Sequence, residues 1–374
     1  LQYFDTVDVE TPAVPGTTDQ VDLNINVTEK STGSIQFGAG LSSSDGVVVG
    51  VTINQPNFLG TGNRVNAQVN TGKTNTVYSL SYTDPYFTPD GVSRGFDVYR
   101  RDVDTSSNNS IGTYNSKSYG AGVRFCLPLS EKDFFSAGLT GDFTKVDLFS
   151  DSPKQYLDYC GNSSGCTSNS LQLAAAWIHD SRDNTLFPNK GVLQRLSAEV
   201  ALPVLDLEYY KLEYKHTWFK DVTKTFTFML NGELGYADSY GNEKYPFFKN
   251  FYVGGVNSVR GFENGSIGPR DFDPSTSQDF AVGGTTRIVG NAEVFAPVPF
   301  IKNSSQFRLS AFADAGDVYA NNQKISLGDL RYSTGVGISW FSPFGPLKLV
   351  FAKALNKKEG DQTQTLQFQL GSQF

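Results

Sequence analysis

Apolar and polar residues alternate with period two along most of this 374-residue chain, from about residue 33 onward. In one such segment, Phe226 and Phe228 fall on one face and Thr227 falls on the other. This alternation is typical of β-strands whose two faces meet different surroundings. A chain built almost wholly in this way predicts an all-β fold.

The alternating segments number about sixteen, and most are around ten residues long, whereas soluble strands typically have five or six. Ten residues are about what a tilted strand needs to cross a bilayer. The predicted spans are 33–43, 46–56, 64–74, 76–85, 93–104, 116–128, 134–148, 170–182, 191–203, 207–221, 225–239, 285–298, 306–320, 330–342, 346–356 and 363–374.

The connections between these segments alternate between short turns and long polar loops. The longest connections are 105–115, 149–169, 240–284 and 321–329. Short turns on one side and long loops on the other are typical of bacterial outer-membrane barrels. An even number of strands also closes a sheet without leaving edges. We therefore predict a 16-stranded antiparallel transmembrane β-barrel. A soluble β-sandwich or solenoid is the alternative, but no fixed repeat of 20 to 50 residues is visible.

Several other classes of protein are disfavoured. The longest apolar run, Leu173–Ile178, is far shorter than a membrane-spanning helix, and the first residues lack the features of a secretory signal. The net charge of −7 and the absence of long runs of like charge argue against a nucleic-acid partner. Neither Gly72-Lys73-Thr74 nor His179-Asp180-Ser181 fits a phosphate loop or a catalytic triad. With only two His and three Cys, we expect no metal, no cofactor and no enzyme activity.

Cys160 and Cys166 lie in a polar, Gly- and Ser-containing loop and could close a short ring. A disulfide there would imply an oxidising compartment. Cys126 falls in a predicted strand and is expected to be free.

Residues 1–32 have a different pattern, with two strands, 3–10 and 20–29, joined by a Pro- and Gly-containing connection. A hairpin of that size is marginal on its own. We expect it to be the tail of a soluble domain.

The connection 240–284 is too long for an ordinary turn and too rich in apolar residues for a disordered segment. It must pack against something. The lone Arg260, in the motif Val259-Arg260-Gly261-Phe262, then needs a partner.

At this point the sequence resembles the BamA family, the central subunits of the bacterial β-barrel assembly machinery, within the outer-membrane POTRA-barrel insertase superfamily. The resemblance rests on the arginine motif, its flanking residues and several turns. These are Phe251-Tyr252, Gly254-Gly255, Ile267-Gly268-Pro269, Asn57–Gly62, Asp84–Thr88 and Ser342–Leu347. TamA and the two-partner secretion transporters share the arginine motif, whereas the turns favour the BamA family.

The resemblance implies two domains. Residues 1–32 would be the C-terminal remnant of the last periplasmic POTRA domain. Residues 33–374 would be the outer-membrane barrel, with the extracellular loop 240–284 folded into its lumen. The family arrangement also places acids of the inner wall on the motif arginine. Strand parity independently puts Asp314 and Glu293 on the lumenal face, in neighbouring strands. Two carboxylates there would bind the Arg260 guanidinium, Gly261 would permit a tight turn, and Phe262 would anchor against the wall. The alternative for both acids is a solvated charge on the lumenal face.

A second candidate site is the seam between the first and last strands. The first strand carries Gly33, Gly38 and Gly40, and Gly within a strand weakens pairing. The last strand carries alternating apolar residues and a Gly near its end: Leu366, Phe368, Leu370, Gly371 and Phe374. Such a seam could open sideways and present an edge to an incoming strand. The alternative is that these features are common to the ends of any such barrel.

The function that the resemblance implies is assembly and insertion of β-barrel proteins into the outer membrane of a Gram-negative bacterium, through this lateral gate. The expected partners are unfolded outer-membrane proteins as clients, outer-membrane lipids and accessory lipoproteins, with the N-terminus in the periplasm. A TamA-like or two-partner secretion pore and a passive porin are the alternatives. An outer-membrane hydrolase would need a catalytic set that the sequence lacks.

Overall fold

The computed structural model describes residues 3–106, 108, 110–223, 225–241, 243–273, 278–298, 306–321, 323–342 and 345–371. Within these residues, sixteen antiparallel strands form one closed barrel. The first and last strands of the barrel also pair with each other, which closes the sheet. The predicted 16-stranded antiparallel barrel is thus confirmed.

The barrel strands follow one another around the sheet in chain order. They are β3 (Ser34–Ser42), β4 (Gly46–Gln55), β5 (Arg64–Thr71), β6 (Asn75–Asp84), β7 (Ser93–Asp104), β8 (Asn115–Pro128), β9 (Asp133–Asp147), β10 (Gly165–Asp180), β11 (Gly191–Leu202), β12 (Tyr209–Asp221), β13 (Thr227–Ser239), β16 (Thr286–Ala296), β17 (Phe307–Tyr319), β18 (Arg331–Ser342), β19 (Gly345–Ala354) and β20 (Leu366–Leu370).

Four further strands lie outside the barrel sheet. β1 (Phe4–Glu10) and β2 (Asn24–Glu29) form an N-terminal hairpin, and β14 (Arg270–Asp273) pairs with β15 (Gln278–Ala281) in the long connection. One short helix, α1 (Lys154–Tyr159), lies in the connection between β9 and β10.

Several sequence-based boundaries were wrong, among them the start of β2, which is Asn24 rather than residue 20. The connection 240–284 is not free of strands, because it contains the β14–β15 hairpin. The connection 149–169 is shorter than expected, since β10 begins at Gly165. The described part of the last strand is five residues, Leu366–Leu370, rather than 363–374. The N–H of Gln364, which was expected within this strand, donates instead to the Gly261 carbonyl in the connection 240–284. Gly371 has a positive φ, so the chain turns there.

The two faces of the sheet differ in polarity. Val47 and Val49 of β4, and Phe351 of β19, are exposed on the outer face, whereas Ser42 of β3 and Gln367 of β20 are buried on the inner face. A continuous outer belt of exposed apolar side chains is what a bilayer requires of a barrel. Among the described residues no helix has the length and apolar character to span a membrane.

The long connections gather at one end of the barrel and cap it. Tyr114, before β8, and Tyr156 of α1 pack on Phe247, with centroid distances of 5.2 and 3.9 Å respectively. All three side chains are buried. Burial raises the pKa of the Tyr156 phenol, so this aromatic cap stays uncharged.

Candidate functional site

The connection 240–284 is called the arginine loop here, and described residues around its arginine motif pack against strands of the barrel wall. Val259, Phe262 and Ile267 have no exposed surface. They share one cluster with Val289 of β16 and Val318 of β17. Burying three large apolar side chains stabilises such docking by several kcal/mol, at roughly 1.5–3 kcal/mol each. The loop is therefore part of the core of the barrel.

Arg260 lies between the two acids that strand parity had singled out. Its backbone N–H donates to Asp314 Oδ2 at 3.0 Å, and its Nε and Nη2 donate to the two Asp314 oxygens at 2.7 Å each. Its Nη1 donates to Glu293 Oε2 at 2.8 Å. The exposed fractions are 3% for Arg260, 5% for Glu293 and 2% for Asp314. The guanidinium thus binds Asp314 through two parallel charge-assisted hydrogen bonds and binds Glu293 through a third.

The neighbouring strands hold the two acids in place. Asp314 of β17 lies opposite Asn291 of β16, and Glu293 is two residues further along β16, on the same face. The Asn291 amide donates to Asp314 Oδ1 at 2.9 Å and to the Ser258 carbonyl at 2.8 Å. The guanidinium carbon lies 3.4 Å from the centroid of the Phe312 ring. Loss of one partner would leave a buried charge uncompensated, at a cost of about 3–5 kcal/mol.

Gly261 has a backbone conformation that favours glycine, with φ at +89°. A Cβ there would lie 3.2 Å from the Cβ of Ala352. This close approach to β19 allows Phe262 to be fully buried beside the wall. Val259 and Phe262 thus flank the charged centre with apolar contacts.

Sequence reasoning missed Gln367 of β20, which has no exposed surface. Its Oε1 accepts from the Gly261 N–H at 3.1 Å, and its Nε2 donates to the Phe262 carbonyl at 2.7 Å. The last strand is therefore bonded directly to the arginine motif. The available signal was parity, since Gln367 alternates with Leu366 and Phe368 and so faces the lumen.

Among the described residues, the seam between β3 and β20 has fewer residue pairs than any other junction of the barrel. Over the described residues it has two residue pairs, Gln369 with Ser42 and Leu370 with Leu41, together with a bond from the Ser43 N–H to the Phe368 carbonyl. By comparison, β3 and β4 pair along nine residues, Ser34–Ser42.

The glycines of the seam have different surroundings. Gly371 has φ at +88°, and a Cβ there would lie 3.0 Å from the Ala39 carbonyl. A Cβ on Gly40 would lie 2.9 Å from the carbonyl oxygen of Leu370. Gly38 pairs with Gly50 on the β4 side, and Gly33 precedes β3. Phe374 lies outside the described residues.

A cavity of about 470 Å³ borders the seam and is lined in part by Ser42, Arg101 and Gln369.

Cys160 and Cys166 form a disulfide that links the end of α1 to the beginning of β10. Cys126 is a free thiol. Within the described part of the chain, no group of three or more His, Cys, Asp and Glu side chains is arranged to hold a metal ion.

Comparison with known proteins gives a consistent picture. Residues 57–374 match the model of the Omp85 superfamily domain. The chain is 38% identical over 408 residues to outer membrane protein assembly factor BamA of Neisseria meningitidis serogroup B, covering 100% of this chain and 51% of the relative. Its identity to the BamA of Neorickettsia risticii is 26%, covering 100% of this chain and 49% of that one. The chain thus spans about half the length of these curated relatives.

Solved structures agree with the sequence relatives. The barrel superposes on BamA from Haemophilus ducreyi lacking POTRA domains 1–3 with a TM-score of 0.93 at 29% identity, covering 98% of this chain and 75% of that chain. CdiB from Acinetobacter baumannii shares the fold at a TM-score of 0.60 and 14% identity, covering 99% of this chain and 65% of that one.

Proposed function

The chain belongs to the Omp85 superfamily, and we propose that it is the barrel of a factor that folds and inserts β-barrel proteins into the bacterial outer membrane. It is an outer-membrane β-barrel by fold and family. The observation that carries the proposal is the seam. Among the described residues it has two residue pairs, whereas every other junction of the barrel has five or more.

In this proposal the seam opens sideways, and β3 becomes a template for an incoming strand. Within the described residues, β3 pairs with β20 at Leu41 and Ser42, and in this proposal the remainder of the β3 edge receives the incoming strand. Extended chains add to such edges through main-chain hydrogen bonds. Gly38 and Gly40 would keep any pairing along this edge weak, because they lack side chains that would pack across the junction.

The arginine loop connects the wall of the barrel to the last strand. Arg260 ties the loop to β16 and β17, and Gln367 ties the same motif to β20. Glu293 and Asp314 therefore act as structural partners of Arg260. Folding of a client would proceed downhill by strand exchange and bilayer distortion, with no cofactor and no enzymatic step.

The N-terminal hairpin belongs, in this proposal, to the end of a periplasmic POTRA domain, which places residues 1–32 in the periplasm. This assignment is supported by an exposed apolar face of the hairpin. Val7 pairs with Val27, and Val9 pairs with Ile25. All four side chains are between 46% and 57% exposed, as expected of a face that packs on a domain.

The expected partners are unfolded outer-membrane proteins as clients, the lipids around the barrel and accessory lipoproteins. The curated relatives of this chain are named as assembly factors. A secretion pore is disfavoured because the CdiB structures resemble this chain less well than the BamA structure does. A passive porin would need an open lumen, and the packed arginine loop opposes that.

The proposal is tested by locking the seam. Leu41→Cys and Leu370→Cys, which form a cross-strand pair, would be introduced into the full-length protein with Cys126→Ala. Oxidation should abolish assembly of a client barrel in proteoliposomes. The matched control is Ala39→Cys with Val49→Cys, across the fully paired β3–β4 junction, which should assemble clients normally when oxidised. Normal assembly by the locked seam would contradict lateral opening.

A further inference from the structure

A second buried arginine contacts the connection that leads into β20. Arg331, the first residue of β18, is 6% exposed. Its Nε and Nη2 donate to the two oxygens of Asp361 at 2.9 and 3.0 Å, and its Nη1 donates to Asp317 Oδ2 at 2.7 Å. Asp361 and Asp317 are 7% and 2% exposed. The arrangement repeats that of Arg260, with one guanidinium between two buried carboxylates.

The three residues of this cluster come from separate parts of the chain. Asp317 is near the end of β17, whereas Asp361 lies in the connection 355–365 that leads into β20. The Asp361 carboxylate also accepts from the backbone N–H of Lys358 at 2.8 Å. Arg331 thus fastens the connection that precedes the last strand to the β17–β18 wall.

The same connection is bonded to the arginine motif. The Glu263 N–H donates to the Gln362 carbonyl, and the Gln364 N–H donates to the Gly261 carbonyl, both at 2.9 Å. Ser266 Oγ donates to the Gln362 carbonyl at 3.1 Å. Together with the two bonds of Gln367, these contacts form an uninterrupted path from the motif to β20.

We propose that Arg331 and Asp361 form a second arginine clasp, which positions the connection before β20 and thereby couples docking of the arginine loop to closure of the seam. Within the described residues, β20 pairs with β19 along five residues and with β3 along two, so the contacts of residues 361–367 add to the few that keep β20 against β3. Release of Asp361 frees this segment, loosens the motif and favours the open seam. This inference adds a controlling contact to the proposed insertion function. It rests on that function only for the role of the open seam in client assembly.

Two variants of the full-length protein test the clasp. Asp361→Asn removes one buried charge but keeps the shape of the side chain. Arg331→Lys keeps a positive charge but lacks the planar fork that binds a carboxylate through two bonds. The matched control is Lys358→Gln, which breaks the exposed Lys358–Asp329 ion pair of 2.8 Å between neighbouring connections. Exposed pairs of this kind contribute little.

The readout is the rate of disulfide formation between Leu41→Cys and Leu370→Cys, measured without any client. We expect Asp361→Asn to lower this rate by about fivefold or more, the lower end of typical coupling between sites. Arg331→Lys should give a smaller change in the same direction, and Lys358→Gln none. The rate for Ala39→Cys with Val49→Cys in β3–β4 should stay constant in all variants, because general destabilisation would affect both junctions.

Proteolysis within residues 240–284 is followed in the same samples, since coupling requires the loop to loosen as the seam opens. A seam rate that is unchanged in both Asp361→Asn and Arg331→Lys would overturn the proposal. So would a faster seam opening with a fully protected loop. If Asp361→Asn does not fold, Arg331→Lys alone decides. Failure of the insertion function would show separately, as absence of client assembly by the unmodified protein.

Discussion

Arg260 and Asp314 are joined by three hydrogen bonds although 54 residues separate them in the chain. One of these bonds comes from the Arg260 backbone, so the carboxylate fixes the course of the loop as well as its side chain. Because both residues are buried, neither charge can be hydrated when the other is removed. The contact therefore determines whether the loop stays in the barrel.

Replacing either partner should release the loop. We expect Arg260→Ala to weaken loop docking by about 3–5 kcal/mol, because two buried carboxylates lose their partner. Asp314→Ala should have a smaller effect in the same direction, since Arg260 keeps its bond to Glu293. Residues 240–284 should become sensitive to protease, and client assembly should fall. Lys145→Gln is the control, since Lys145 is 63% exposed in its pair with Asp147. Normal assembly and full protease resistance in both alanine variants would contradict the structural role of this contact.

The extent to which this site is visible in the sequence depends on how local each signal is. Alternation is a property of neighbouring residues, so it predicted the barrel and the lumenal faces of Asp314 and Glu293. Asp361 lies in a connection, outside the alternating strands, so alternation gives no signal for its contact with Arg331. The sequence therefore did not reveal this pair. The shortness of β20 was missed too, because bonds from Gly261 and Glu263 to the preceding connection have no signature in 363–374 itself.

The conformation of Gly261 can be tested by adding a single methyl group. Gly261→Ala should destabilise loop docking by about 1–3 kcal/mol, because a positive φ is strained for alanine and the new Cβ would press on Ala352. Thermal unfolding and protease sensitivity of the loop measure this effect. Gly232→Ala is a matched control in β13, since nothing lies within 4 Å of the position of its Cβ. Equal stability of the two variants would show that the motif does not require glycine.

The disulfide should act locally. Replacing Cys160 and Cys166 by Ala removes a short covalent ring, whose contribution is about 2 kcal/mol by chain entropy. Because the ring joins α1 to β10 above the barrel, amide hydrogen exchange should accelerate in 148–164 and remain unchanged in β16 and β17. Replacing the free Cys126 by Ala is the control and should change neither region. Faster exchange around Asp314 in the double variant would show that the cap also holds the arginine loop.

Ion conductance separates the proposed function from that of a porin. The arginine loop occupies the lumen, and the space left beside Arg260, which Arg308 and Lys348 also line, is a cavity of about 490 Å³. The purified barrel in a planar bilayer should therefore give small, flickering currents, whereas a porin gives large and stable steps. Arg260→Ala should raise the mean current, because the loop then leaves its position, and Lys145→Gln should not. Large stable steps from the unmodified protein would mean that the lumen is open, and would favour the porin over the insertion factor.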